Sequence, residues 1–207
     1  MPSMKSASPI TPANNQELLV TATISSDSAP QVPVGTDYQD IRDSVRSICS
    51  SFPGEYWREL DERDGYPDAF VKALTEAGYL AALIPEQYGG SGLPLRAAAV
   101  VLEEIHASGG NAAACHAQMY TMGALLRHGN QAQKDKYLPE IAAGRLRLQA
   151  FAVTEPTTGL NTLKLKTAAR FEGDRYIVNG QKVWISRVQH SDLMLLLART
   201  TPLAEVK

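Results

Sequence analysis

Cysteine is scarce in this chain. The 207 residues include two, Cys49 and Cys115, far apart and without metal-ligand spacing. That pattern excludes a disulfide framework and a thiolate metal site, and no metal is expected; it predicts two reduced core thiols in a cytosolic protein. Long apolar runs are missing too. Asp192-Leu193-Met194-Leu195-Leu196-Leu197-Ala198 is strand-sized, well short of a bilayer span, and reads as a buried strand, so no membrane partner is expected. The N-terminus lacks the continuous apolar core of a secretory signal. It carries Lys5 and no other basic residue before Arg42, which makes a weak mitochondrial transit peptide. The expected compartment is the cytoplasm, with the mitochondrial matrix as the alternative. Charge of one sign is lacking as well. The net charge is -2 and Lys and Arg are scattered, so no nucleic acid or anionic lipid surface is expected as a partner.

What the chain does have is a change of period. Residues 1–36 are rich in Ser, Thr, Pro, Ala and Asn and predict a flexible arm. Residues 37–147 predict an all-α domain. Tyr38, Ile41, Val45 and Ile48 recur at helical steps, as do Phe70, Leu74 and Ala77, with Gly78 placed to stop that helix. Leu83 to Gly92 breaks the pattern and reads as a loop; its Gly-Gly-Ser-Gly lacks the spacing of a dinucleotide fingerprint. The small-residue stretch Ala112 to His128 predicts a central buried helix, with His116 more readily a core histidine than a ligand. Gln131 to Gly144 closes the set, and Pro139 is expected to end or kink that helix or begin a new turn. From residue 148 the pattern is strand-like. Arg170 to Tyr176 reads as strand, tight turn, strand, and Asn179-Gly180 reads as a hairpin turn leading to a strand through Ile185.

The stretch Ala150-Phe151-Ala152-Val153-Thr154-Glu155-Pro156-Thr157-Thr158-Gly159 runs an apolar strand into a turn dense in hydroxyls and backbone N–H groups. Trp184-Ile185-Ser186 returns a tryptophan and another hydroxyl downstream. Together they offer a wall and hydrogen-bond partners to a flat, polar-edged aromatic cofactor. Each residue alone also has a plainer reading. Thr154 can bond its own turn, Phe151 and Trp184 can be core aromatics, and Ser186 can simply close a strand.

The order of motifs decides among these. An IPEQYGGSG loop, NQAQKDKYLPEIAAG, FAVTEPTTG, GDRYIVNGQKVWIS and DLMLLLART follow one another from about Tyr38 to Thr200. The chain thereby resembles the N-terminal part of an acyl-CoA dehydrogenase. The resemblance implies an α+β fold: the all-α domain, then an incomplete antiparallel β-barrel or sandwich over residues 148–207, with the family's C-terminal helical bundle absent. It implies FAD as cofactor, an acyl-CoA substrate, an electron-transfer flavoprotein as acceptor, and a homodimer or homotetramer in the full-length protein.

The resemblance also assigns roles. Phe151 lies beside the flavin. Val153 and Thr154 offer N–H groups and a hydroxyl to its pyrimidine edge, where reduction places negative charge. Trp184, Ile185 and Ser186 cover the ring and reach its N5/O4 edge. Gly159 and Leu160 follow the cofactor's diphosphate, Gly159 by close backbone approach. Leu160 stands where relatives carry a hydroxyl that touches both cofactor and thioester, so it keeps an N–H but loses that bond; Asn161 replaces the usual Asp. Glu155 is expected to bond the loop, not to act as a base. No catalytic residue is assigned within the chain, and the fragment alone is expected to be inactive and to hold FAD weakly. Two other functions remain open: a related flavin oxidase or monooxygenase, and a degenerate, non-catalytic interaction fragment.

Overall fold

The computed structural model describes residues 37–205. The expected arm, residues 1–36, lies outside the described residues.

Six helices come first: α1 (Gln39–Cys49), α2 (Gly54–Glu62), α3 (Asp68–Glu76), α4 (Leu95–Ala107), α5 (Ala113–His128) and α6 (Gln131–Ala142). The helical periods predicted most of them. Gly78 follows the end of α3 in the left-handed region, at φ 80, where a side chain would be strained. Asn130 and Gln133 form a reciprocal capping box at the start of α6. Pro139 does not end α6. It deprives the Asp135 carbonyl of its donor, but Asp135 is exposed, so water can take the vacant place.

α5 is the hub. Its small and apolar residues Ala114, Cys115 and Met119 join Val45, Phe70, Leu74, Val101 and Ile105 in one core. One turn further on, Met122 joins Ile84, Leu138, Ile141 and Leu148 in a second. α1 and α4 are also tied by charge. The buried Arg42 reaches Glu103 at 2.8 Å and the Asp37 carbonyl at 3.0 Å, and Arg46 pairs with Glu104 at 2.8 Å.

Four strands follow: β1 (Leu148–Ala152), β2 (Ala168–Glu172), β3 (Arg175–Asn179) and β4 (Leu193–Leu196). The architecture is therefore α+β, with helices first and small sheets after. β2 and β3 form the antiparallel hairpin that the sequence predicts, turning at Gly173-Asp174 with Gly173 at φ 63. β1 and β4 instead pair in parallel, a pairing the antiparallel expectation did not include. The forty residues between them, hairpin included, supply the crossover that parallel pairing needs.

Three local expectations are corrected. Asn179-Gly180 is no hairpin turn: β3 ends at Asn179, and neither residue has positive φ. Gly180 is there for close approach, because a Cβ would fall 2.4 Å from Thr167 Oγ1 and 2.6 Å from its Cα. Residues 181–185 form no strand. And β4 is not buried throughout: Leu193 and Leu195 pack on the second core, while Met194 and Leu196 are exposed, the alternation of a strand with one covered face.

Candidate functional site

β1 ends at Ala152, and the chain enters a turn that polar groups hold. Glu155 and Thr158 exchange backbone hydrogen bonds at 2.8 and 3.2 Å, and the Thr158 hydroxyl donates to the Asn161 carbonyl at 2.8 Å. Glu155 is buried. Its carboxylate accepts from the Lys166 and Thr167 N–H groups at 2.7 and 2.8 Å and pairs with Lys182 at 3.1 Å. Burial alone would raise its pKa. The bonds from Thr167, Lys166 and Lys182 outweigh that and bring it down to about 2. Glu155 is thus a fixed anion that clips three segments together, as expected, and is useless as a base near neutral pH.

Lys182 is the residue that sequence reasoning missed. Its ammonium also donates to the Val153 carbonyl at 2.9 Å. A signal existed: a glutamate inside an apolar motif needs a cation, and Lys182 is the only one between Tyr176 and Ser186. Arg199 adds a second clip, donating to the Leu165 carbonyl at 3.0 Å and to that of Leu163.

Beside Lys182, the Val183 N–H donates to the Thr154 carbonyl at 2.9 Å. The 153–155 and 182–184 segments are therefore neighbours, although no strand joins them. Trp184 comes next, at φ 59 with 90% of its surface exposed. It is not a core aromatic. A bulky residue in the left-handed region costs on the order of 1–2 kcal/mol, and no internal packing of the indole offsets it. Ile185 is half-buried and Ser186 exposed. Val153 and Thr154 are half-buried, and Leu160 is fully exposed. A Cβ on Gly159 would meet only Thr154 Cγ2, at an ordinary 3.7 Å. Among the described residues, nothing packs closely against that position.

Phe151 is half-buried, its ring 5.8 Å from Tyr120 on α5, which in turn lies 5.1 Å from His116. His116 is exposed, contrary to the expectation of a core histidine, because it falls on the α5 face turned away from both cores. Phe151 also borders an apolar cavity of about 520 Å³ lined by Ala124, Leu125, Tyr137, Leu148, Leu193 and Leu195, among others. Among the described residues, no cluster of His, Cys, Asp and Glu could hold a metal ion. No helix there is long and apolar enough to cross a membrane. The two thiols are buried, and burial pushes Cys115 up to about 12.

Comparison with known proteins finds matches along most of the chain. Residues 35–145 match the family description "Acyl-CoA dehydrogenase, N-terminal domain", and residues 150–206 match "Acyl-CoA dehydrogenase, middle domain". Cyclohex-1-ene-1-carbonyl-CoA dehydrogenase of Syntrophus aciditrophicus is 36% identical over 145 residues, covering 70% of this chain and 35% of that protein. The crystal structure of an acyl-CoA dehydrogenase from Geobacillus kaustophilus superposes with a TM-score of 0.72 at 27% identity, over 84% of this chain and 45% of that one. A prolyl acyl carrier protein oxidase superposes with a TM-score of 0.72 at 27% identity, over 79% of this chain and 44% of that one. The chain thus spans less than half the length of each protein it matches here.

Proposed function

Since this chain belongs to the acyl-CoA dehydrogenase family, we propose that it supplies the flavin wall and part of the acyl site of an FAD-dependent acyl-CoA dehydrogenase. The observation that carries the reading is the hydrogen bond from the Val183 N–H to the Thr154 carbonyl. It brings the 182–184 segment, which carries the exposed Trp184, alongside the Val153-Thr154 segment. Bound FAD would supply the hydride-accepting ring.

The residues here do the holding. Phe151 and Trp184 present flat apolar surface to the ring. The Thr154 hydroxyl and nearby N–H groups donate to its pyrimidine edge, and Ile185 and Ser186 border the N5 side. Gly159 and Leu160 track the diphosphate with backbone N–H groups. The apolar cavity beside Phe151 has the size and lining of an acyl-chain site. Substrate is then an acyl-CoA, the electron acceptor an electron-transfer flavoprotein, and the assembly a homodimer or homotetramer. Glu155 is tied up as a fixed anion and is not the base that takes the α-proton.

FAD titration tests this reading, followed by flavin fluorescence and by the part of the tryptophan emission that Trp184→Phe removes, since Trp57 also emits. Saturable quenching is expected. Thr154→Ala should weaken binding by about 2- to 10-fold, the worth of one hydrogen bond of roughly 0.5–1.5 kcal/mol. Absence of saturable binding even at FAD concentrations high enough to fill a weak site, with the Trp184 part of the emission unmoved, would sink the reading. A second reading, a flavin oxidase acting on a carrier-bound acyl thioester, draws on the solved prolyl acyl carrier protein oxidase and on Leu160, which cannot make the thioester contact of a hydroxyl. Rapid reoxidation of the reduced flavin by oxygen would favour it.

A further inference from the structure

β1 contains one residue too many. Leu148 pairs with Leu193 and Ala150 with Met194, so Gln149 is an extra residue, a β-bulge. It is fully buried, and both ends of its amide are bonded. The Tyr66 hydroxyl donates to its Oε1 at 2.7 Å, and its Nε2 donates to Gln118 Oε1 at 3.2 Å. Thr121 of α5 donates to the neighbouring Leu148 carbonyl. The Tyr66 ring is itself held between the His190 ring at 4.7 Å and the Arg147 guanidinium at 4.8 Å. A buried amide costs several kcal/mol in an apolar setting unless its groups are paired. Here they are paired, by residues from the α2–α3 loop and from α5.

The extra residue has a geometric consequence. Phe151 pairs with Leu195, and Leu193 and Leu195 share a face. Leu148 and Phe151, three apart, therefore lie on one face. Leu148 packs with Met122, Leu138 and Ile141, and Phe151 meets Tyr120. Strict alternation would group Leu148 with Ala150 and Ala152 and turn Phe151 to the opposite side of the sheet.

We propose that Gln149 is a positioning residue: anchored to Tyr66 and Gln118, it fixes the bulge that aims Phe151, and with it the Val153-Thr154 edge, at the ligand. The ligand half of this statement rests on the flavin reading; the strand-setting half does not.

Thiol labelling of the chain carrying Phe151→Cys tests the second half without any flavin, since Cys49 and Cys115 are buried and stay silent. Adding Gln149→Leu should change the labelling rate at that position at least fivefold while helical circular dichroism is retained. Gln149→Glu, which keeps the acceptor for Tyr66, should return the rate to within twofold. Tyr66→Phe, the milder variant should Gln149→Leu not fold, should move it in the same direction by less. A rate unchanged within twofold in folded Gln149→Leu and Tyr66→Phe proteins, with only the melting temperature lowered, would reduce Gln149 to packing and overturn the proposal. With Phe151 intact, Gln149→Leu should weaken FAD binding at least fivefold. Unchanged affinity would overturn the ligand half. Failure of the unsubstituted chain to bind FAD would instead count against the flavin reading and leave the labelling rates to decide the strand-setting role.

Discussion

In the helical layer Phe70, Leu74, Ile84, Val101 and Ile105 are fully buried, whereas in the β2–β3 hairpin Phe171, Tyr176, Ile177 and Val178 are 41–61% exposed. The helices hold most of the two apolar cores, with Leu148, Leu193 and Leu195 completing the second. The loops after β1 are ordered differently: Glu155, Lys182 and Arg199 reach across the chain to backbone N–H and carbonyl groups. One region rests on burial and the other on polar clips. The second arrangement leaves the Trp184 indole 90% exposed. The largest effect that separates the two regions should come from Phe70→Ala. It removes a ring in edge contact with both Phe52 and Trp57 and should cost about 3–5 kcal/mol in urea unfolding. A loss below about 1 kcal/mol would show that the helical core is not the seat of stability.

The clip of the second region can be broken by one atom change. Glu155→Gln leaves the Lys182 ammonium, 8% exposed, without its counter-charge and should cost about 3 kcal/mol or more. The same carboxylate gives a pH signature. Its pKa falls from 4.5 to about 2 on folding, which corresponds to roughly 3 kcal/mol of stability. The sign follows from the depressed folded value. The contribution is complete above pH 4.5, because the folded state then holds the anion more firmly than the unfolded chain does. It is lost as pH falls toward 2. Unfolding free energies of the unsubstituted and Glu155→Gln proteins should therefore converge over that window, and parallel curves would refute the assignment.

Parts of both regions were legible in the sequence, for physical reasons that differ. The helices are local objects: their period, the Asn130–Gln133 cap and the stop at Gly78 all lie within a few residues of what they control. The Gly173-Asp174 turn is local in the same way. The clip was half legible, since Glu155 was expected to bond its loop but Lys182 was not chosen as its partner. What was not legible is set by distant contacts. Trp184 adopts φ 59 in a segment held by Thr154 and Glu155, thirty residues earlier, and its strand-like sequence gives no sign of that. Gly180 looks like a turn glycine because Asn-Gly usually is one, but its requirement comes from Thr167. The parallel pairing of β1 and β4 and the bulge at Gln149 depend on register, which alternation within one strand does not encode. The site motif itself was read through family resemblance; no periodicity in residues 150–186 marks a ligand.

Gly180→Ala probes the tight seam between the 180 segment and Thr167. The new methyl would sit 2.6 Å from the Thr167 Cα, a backbone atom that cannot rotate away, so the two segments must part. The expected loss is roughly 1–3 kcal/mol, smaller than for the clip because the ion pair two residues on can adjust. Thr167→Gly in the same chain should recover part of it. A Gly180→Ala protein as stable as the unsubstituted chain would show that the contact is not what makes glycine necessary.

The smallest effect belongs to the hairpin and completes the contrast with Phe70. Phe171 is 61% exposed and meets Tyr176 across the strand pair, the rings tilted with centroids 5.1 Å apart. Cross-strand aromatic pairs contribute about 0.5–1.5 kcal/mol when well buried, and solvent on the open side reduces that further. Phe171→Ser should therefore change the unfolding free energy by no more than about 0.5 kcal/mol. Solubility should respond more, because the exposed row Phe171, Tyr176 and Val178 is the kind of apolar surface that drives association. Sedimentation of the two proteins over a range of concentrations separates the cases. If Phe171→Ser instead destabilised the chain as much as Phe70→Ala, the hairpin would have a buried partner in solution, and the division between a buried helical core and an exposed hairpin would fail.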